Sequence, residues 1–129
     1  MSSNNLRNPL KAARGLGSAK SGTSHFIRQR VTALALIVLS LYVLGLLLFC
    51  MTADYAKAIE TVRHPFNAIA LIAFVIAMFW HSKLGIQAII EDYVHTPGAA
   101  MATQLLNIFV NAIAALAGVL AIVRIALGA

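Results

Sequence analysis

The sequence contains few charged residues for its length, and most of them are basic. Only 11% of the 129 residues are charged, whereas 60% are hydrophobic and the mean hydropathy is +0.85. This shortage of charge excludes an ordinary water-soluble domain, in which about a quarter of the residues are charged. The hydrophobic residues form three long blocks rather than an amphipathic mixture. The chain is therefore predicted to be an all-α membrane protein.

Cysteine and acidic residues are also scarce. Cys50 is the single cysteine, which excludes an intrachain disulfide and a multi-cysteine metal site. The sequence has neither a cysteine cluster nor a nucleotide-binding glycine motif, so iron–sulfur and flavin chemistry would belong to partner proteins. Ten Lys and Arg against four Asp and Glu give a net charge of +6. Because most of the basic residues precede the first apolar block, they are interpreted as a topology signal that contacts lipid headgroups, not as a nucleic-acid site.

Three apolar segments are each long enough to cross a membrane as a helix. The first covers residues 31–51, which at about 1.5 Å per residue span a hydrocarbon core of roughly 30 Å. The second covers residues 65–90 and begins at Pro65, because proline is favoured in the first turn of a helix. The third covers residues 99–127, after a turn predicted at residues 96–98.

The distribution of basic residues predicts the orientation of the chain. Residues 1–29 are predicted to form a flexible basic tail, and residues 30–129 a three-helix membrane anchor. The loop after the first span contains only Lys57 and Arg63 as basic residues, together with two acidic residues. Since cytoplasmic segments carry the excess of basic residues, the N-terminus is expected inside and the C-terminus outside.

His81 is an ionisable residue within the second apolar segment, where such residues are costly and usually functional. Steps of 100° per residue place mostly small residues on its helix face. These positions are Ala70, Phe74, Ala77, Gly85, Ala88 and Asp92. Such a face lets another helix or a flat cofactor approach closely. Asp92 lies about 16 Å further along the helix, which predicts a position near mid-membrane for His81.

Two interpretations of His81 follow from the residues alone. The side chain either hydrogen-bonds to a neighbouring helix without doing chemistry, or it is an axial ligand of haem iron, for which a neutral imidazole is suited. His25, His64 and His95 are expected at the membrane surfaces, too far away to bind the same iron. A six-coordinate haem would therefore take its second ligand from another polypeptide.

Two further polar features of the spans are interpreted structurally. Lys83 lies about 200° around the helix from His81 and is expected to extend towards the inner headgroups. The third span carries a stripe of polar and small residues at spacings of three and four. Its members are Gln104, Asn107, Asn111, Ala114, Gly118 and Ala121. This stripe is expected to pack against other helices, the alternative being a transport path.

Two stretches of the sequence resemble a known family. They are SGTSHFIRQRVTA at the start of the first span and HSKLGIQAIIEDYV, in which Asp-Tyr follows the histidine at a fixed spacing. With its three spans, the chain resembles the hydrophobic membrane-anchor subunit of succinate dehydrogenase, the respiratory complex II. The first stretch resembles proteobacterial members more than mitochondrial ones. The resemblance therefore implies that the protein is located in the bacterial inner membrane rather than in the mitochondrial inner membrane.

The resemblance implies a haem site. In this family two anchor subunits hold one b-type haem between them, each supplying one histidine, and the matching position is His81. Arg30, with Arg28 as the alternative, matches an arginine that contacts a haem propionate. His25 matches a histidine near the propionates and the quinone pocket.

The resemblance also implies a ubiquinone site and a set of partners. Tyr93 matches a tyrosine that hydrogen-bonds a quinone carbonyl oxygen, with Asp92 beside it. The expected function is a non-catalytic anchor that docks a flavoprotein and an iron–sulfur subunit to the membrane and packs with a second anchor, the cytochrome b subunit, in a helical bundle. Two alternatives stay open: a small transporter or channel subunit, and the anchor of a fumarate reductase.

Overall fold

The structure, a computed structural model, describes residues 22–128, and all of its regular elements within that range are helices. In chain order they are α1 (Gly22–Thr52), α2 (Tyr55–Arg63), α3 (Pro65–Tyr93) and α4 (Pro97–Leu127). α1, α3 and α4 are each long and apolar enough to cross a membrane. The predicted all-α architecture with three spans is therefore confirmed. Residues 1–21 of the predicted tail lie outside the described range.

The helices extend beyond the apolar segments from which they were predicted. α1 begins at Gly22, well before the apolar run at residue 31, because hydropathy detects the part of a helix that faces lipid and not its polar first turns. α4 begins at Pro97, with Thr96 as its N-cap residue. The predicted turn before the third span is present, but at residues 94–96 rather than 96–98, because Pro97 occupies the first helical turn, where its missing N–H costs nothing.

A short polar helix, α2, connects the first two spans and was not predicted. The carboxylate of Asp54 accepts a hydrogen bond from the backbone N–H of Lys57 at 2.7 Å and caps the helix. Glu60, 2.9 Å from the ammonium of Lys57, raises the pKa of that lysine by hydrogen bonding. Arg63 Nε donates a hydrogen bond to the carbonyl oxygen of Ile125 at 3.1 Å. Arg63 thus adds a second donor to a carbonyl at the end of α4 that also accepts a hydrogen bond from the backbone N–H of Gly128 at 3.2 Å.

α1 and α3 pack side by side in opposite directions. At one end of the pair, Thr32 contacts His81; at the other, the hydroxyl of Tyr42 donates a hydrogen bond to Asn67 Oδ1 at 2.5 Å. The Tyr42 ring also meets Phe66 edge-on, with ring centroids 5.6 Å apart. The start of α1 and the end of α3 therefore lie at the same end of the bundle.

α3 and α4 are joined by buried amides and by close backbone packing. Asn107 and Asn111 are both buried. Asn107 Nδ2 donates to the carbonyl oxygen of Lys83 at 3.0 Å, and Asn111 Nδ2 donates to Asn107 Oδ1 at 2.8 Å. A Cβ atom on Gly118 would lie 2.9 Å from Val75 Cγ1. These contacts confirm the expected packing against a neighbouring helix for three members of the stripe, Asn107, Asn111 and Gly118, whereas Ala121 is exposed.

The described helices bury few large side chains among themselves. The buried hydrophobic residues of the described part of the chain are Val43, Ala68, Ala70 and Leu84. Large apolar side chains cover the outside of the three long helices, as Leu41 on α1 and Leu116 on α4 illustrate. Such a surface requires lipid tails or partner helices around it.

Candidate functional site

The side chain of His81 is half-buried between α3 and α1. Its Nδ1 lies 3.0 Å from the hydroxyl oxygen of Thr32. The same hydroxyl lies 2.9 Å from the carbonyl oxygen of Arg28 and 3.0 Å from that of Gln29, both on its own helix. α1 therefore supplies a polar group that fixes the orientation of the imidazole within an otherwise apolar interface.

The hydrogen bonds of Thr32 favour one tautomer of His81. A hydroxyl has one proton, and here that proton is donated to a backbone carbonyl one turn earlier. The hydroxyl oxygen then accepts a hydrogen bond from Nδ1–H of His81. In the neutral ring this leaves the Nε2 lone pair available, which is the arrangement found in histidines that bind metals. The first interpretation of His81 expected a hydrogen bond to a neighbouring helix. That hydrogen bond involves only one ring nitrogen and leaves the other nitrogen for a ligand.

The contact with Thr32 also indicates the depth of His81. Thr32 lies in the first turn of the apolar run that begins at residue 31. A residue opposite that turn lies near the boundary of the hydrocarbon core, not near its middle, because the remainder of the run extends for about 30 Å beyond it. His81 is therefore closer to the membrane surface at which α1 begins than its position along α3 alone predicts.

The predicted site residues on α1 lie in its first turns, at the end of the bundle where Thr32 contacts His81. Arg30 is exposed, and its guanidinium carbon is 5.1 Å from the centroid of the Phe26 ring, a cation–π distance. Arg30 precedes Thr32 by two residues, so it lies about 3 Å from the level of that hydroxyl along the helix axis but about 200° around α1 from it. His25 is half-buried, and its Nε2 is a buried atom without a hydrogen-bond partner among the described residues.

Asp92 and Tyr93 form the last turn of α3. Tyr93 is 78% exposed, and Asp92 is exposed as well. They lie at the same end of the bundle as the start of α1, but about 16–18 Å from His81 along α3. The structure therefore separates the predicted site residues into two groups: His81 with the first turns of α1, and the exposed pair at the end of α3.

The helix face of His81 has free space one turn further along. A Cβ atom built on Gly85 would meet no atom within 4 Å. Gly118, by contrast, is packed tightly against α3. Gly85 therefore leaves room beside His81 that no other part of the described chain fills.

Thr32 is the residue at this site that the sequence alone did not single out. The hydroxyl of a threonine in an apolar helix normally hydrogen-bonds to a backbone carbonyl of the same helix, so the presence of this threonine did not indicate a contact with His81. The pairing of α1 with α3 was needed to show that its hydroxyl meets His81.

Comparisons of the sequence with known proteins identify the family of the chain. Residues 4–121 match the sequence model of the family described as succinate dehydrogenase/fumarate reductase transmembrane subunit. The succinate dehydrogenase hydrophobic membrane anchor subunit of Rickettsia bellii is 38% identical over 89 residues, covering 69% of this chain and 71% of that protein. The subunit of the same name from Paracoccus denitrificans is 31% identical over 121 residues, covering 94% and 93%. No solved structure matches the chain significantly.

The comparisons bear on two predictions made from the sequence. The bacterial relatives are membrane anchors, and the chain has three helices that can span a membrane. The predicted multi-pass protein of the bacterial inner membrane is thereby confirmed. The predicted resemblance to membrane-anchor subunits is confirmed as well.

Proposed function

Because this chain belongs to the succinate dehydrogenase/fumarate reductase transmembrane subunit family, we propose that it anchors a succinate:ubiquinone oxidoreductase, shares a b-type haem and contributes to the ubiquinone site. A second anchor subunit would supply the other haem ligand. A flavoprotein and an iron–sulfur subunit would oxidise succinate, whereas this chain catalyses no reaction by itself.

The residues around His81 fit a haem. The Nε2 lone pair of His81 is left available by the Nδ1–H hydrogen bond to Thr32. His25, nearer the start of α1, carries a buried ring nitrogen without a partner among residues 22–128, which a bound group would satisfy. Gly85 leaves open space on the same helix face as His81. When bound, a haem supplies one-electron redox chemistry within the membrane.

Each of these residues has a separate task in the proposed site. His81 would bind the iron through Nε2, and Thr32 would hold the ring in the required tautomer and orientation. Arg30, at almost the level of Thr32, would pair with a propionate, for which a guanidinium is well suited. The cation–π contact with Phe26 restricts the guanidinium without using its hydrogen-bond donors.

Tyr93 and Asp92 would contribute to the ubiquinone site. Reduction of a quinone requires hydrogen-bond donors to the carbonyl oxygens and a route for two protons from water. The phenol of Tyr93 can donate to a carbonyl oxygen, and the neighbouring carboxylate of Asp92 can pass protons from the aqueous phase. Both side chains are exposed at the end of α3 and so are accessible to a quinone and to a partner subunit.

The transporter alternative loses its main support in the packing of α4. Asn107 and Asn111 bury their side chains at the contact with α3 and hydrogen-bond there. Their amide groups are thus engaged in hydrogen bonds that hold the helices together, which favours a packing role over a transport path.

The hydrogen bond between Thr32 and His81 is the observation that carries the haem proposal. Its test is the reduced-minus-oxidised absorbance spectrum of the assembly purified through a tag on this chain. The wild type is expected to show a b-type spectrum and to co-purify with dehydrogenase subunits, and His81→Ala is expected to lose or alter that spectrum. His95→Ala, which removes an exposed histidine between α3 and α4, is the matched control. A spectrum unchanged in His81→Ala would remove His81 as a ligand.

A further inference from the structure

A groove of about 400 Å³ runs between α3 and α4 and has cationic residues at one end. Its apolar walls include Ile76, Trp80 and Leu84 from α3 and Ile108 from α4. Arg28 from the start of α1 and Lys83 from α3 also line it. This size lies within the range of ligand-binding clefts.

The groove is separate from the site around His81. Lys83 lies about 200° around α3 from His81, on the opposite side of the helix. Ile76, Phe79 and Trp80, which also line the groove, lie within about 60° of Lys83 around α3, whereas Leu84 lies between the directions of Lys83 and His81. A ligand in the groove therefore does not compete with one bound at His81 Nε2.

The two cations of the groove lack an anionic partner in the described part of the chain. Lys83 Nζ donates a hydrogen bond to Gln87 Oε1 at 2.8 Å, and Gln87 Nε2 donates to Glu91 Oε1 at 2.8 Å. This chain of hydrogen bonds directs the ammonium towards the end of α3 without placing it against a carboxylate. The one salt bridge among residues 22–128 joins Lys57 to Glu60, so Arg28 is also unpaired there. Two positive charges at one end of an apolar cleft between membrane helices attract an anionic headgroup.

We propose that this groove binds an anionic phospholipid, with its phosphate at Arg28 and Lys83 and an acyl chain along the groove between α3 and α4. Charge complementarity and shape both favour this occupant. Basic pockets between membrane helices are suited to anionic headgroups, and the apolar walls suit a hydrocarbon chain. From Lys83 to Ile76 the apolar part of the groove extends for about 10 Å along α3, away from the cations and into the membrane. A phospholipid has the same arrangement, with a charged headgroup followed by an apolar acyl chain.

Trp80 provides a local probe, because it is the only tryptophan of this chain and it lines the groove. The assembly purified through this chain is placed in phosphatidylcholine bilayers that contain one-fifth brominated phosphatidylglycerol or, in parallel, one-fifth brominated phosphatidylcholine. Bromine on the acyl chains quenches indole fluorescence on contact. Subtracting the signal of the Trp80→Phe assembly isolates Trp80 from tryptophans of partner subunits.

Brominated phosphatidylglycerol is expected to quench Trp80 at a lower membrane fraction than brominated phosphatidylcholine. Lys83→Met and Arg28→Gln are each expected to reduce this preference about fivefold, which corresponds to the attraction of one basic residue for an anionic headgroup. Lys83→Arg should retain the preference. Arg124→Gln, which removes one charge near the other end of α4, is the matched control and should also retain it.

Several results would overturn the proposal. Equal quenching by the two lipids would mean that the headgroup is not recognised, and no quenching by either would mean that protein covers the groove. A preference that survives both Lys83→Met and Arg28→Gln would place the anionic site elsewhere. Relief of the quenching by a soluble ubiquinone analogue would identify the groove as a quinone site instead.

Discussion

Replacing Thr32 with valine tests the role of this chain's own hydrogen bond at the proposed haem site. Valine has nearly the shape of threonine but cannot accept a hydrogen bond, so the 3.0 Å contact with His81 Nδ1 is removed. The imidazole then loses the group that fixes its tautomer and the orientation of Nε2. Loss of such an orienting partner typically lowers the affinity of a metal site about 10- to 100-fold.

The appropriate assay is haem retention by the purified assembly. Haem per assembly is measured from the reduced-minus-oxidised spectrum while apomyoglobin, a haem acceptor, is added in increasing amounts. Thr32→Val should release haem at acceptor concentrations about 10- to 100-fold lower than the wild type does. Thr32→Ser, which keeps the hydroxyl, should stay close to the wild type.

Thr103 on α4 offers a matched control. Its hydroxyl contacts the carbonyl oxygens of Ala99 and Ala100 at 2.8 and 3.2 Å, nearly as Thr32 contacts those of Arg28 and Gln29. Thr103→Val therefore makes the same local change in a membrane helix without affecting a histidine. If Thr103→Val and Thr32→Val release haem equally, the effect arises from helix stability, and the role assigned to the Thr32–His81 hydrogen bond is refuted.

Three further predictions concern packing, quinone reduction and topology. Gly118→Leu should destabilise the assembly by at least about 1–3 kcal/mol in thermal inactivation, because the new side chain meets α3. Gly45→Leu places the same side chain in open space and should not destabilise the assembly. Equal effects of the two substitutions would contradict the assigned helix contact. Tyr93→Phe should impair ubiquinone reduction, while succinate oxidation with a soluble artificial acceptor continues. Tyr55→Phe alters an exposed tyrosine on α2 and should affect neither activity. Equal loss of both activities in Tyr93→Phe would indicate an assembly defect. A cysteine introduced at His95 should react with a membrane-impermeant maleimide only from the cytoplasmic side, and labelling from the opposite side would reverse the proposed orientation.

Hydropathy predicted the three spans because a chain that crosses lipid must hydrogen-bond its own backbone groups, as a helix does. A long apolar run in a membrane protein therefore indicates a helix. The same reasoning missed the ends of the helices. Residues 22–30 continue α1 although they are polar, and hydropathy carries no information about where a helix stops outside the hydrocarbon core. α2 was missed for a related reason: it is short and polar, and its stability depends on the Asp54 cap and on the contact of Arg63 with α4.

The candidate site was predictable to the extent that its residues lie on one helix. Helical periodicity placed His81 opposite Lys83 without knowledge of the tertiary structure. It could not reveal the partner of His81, because Thr32 lies 49 positions away in the sequence, and only the register of α1 against α3 brings the two together. The depth of His81 in the membrane stays a prediction, for which the register against α1 favours a position nearer the surface than the one inferred from α3 alone.

α3 connects the two proposed sites and keeps them apart. One side of this helix carries His81 and Gly85, and the other carries Lys83 and the lipid-sized groove. The helix cannot rotate freely between them, because the Thr32 hydrogen bond fixes it to α1 and the Asn107 hydrogen bond fixes it to α4. Both contacts lie within two residues of each other along α3. An anionic lipid that holds Arg28 against Lys83 would therefore strengthen the pairing of α1 with α3 at the level where Thr32 orients His81, and in this way would stabilise the haem site without touching it.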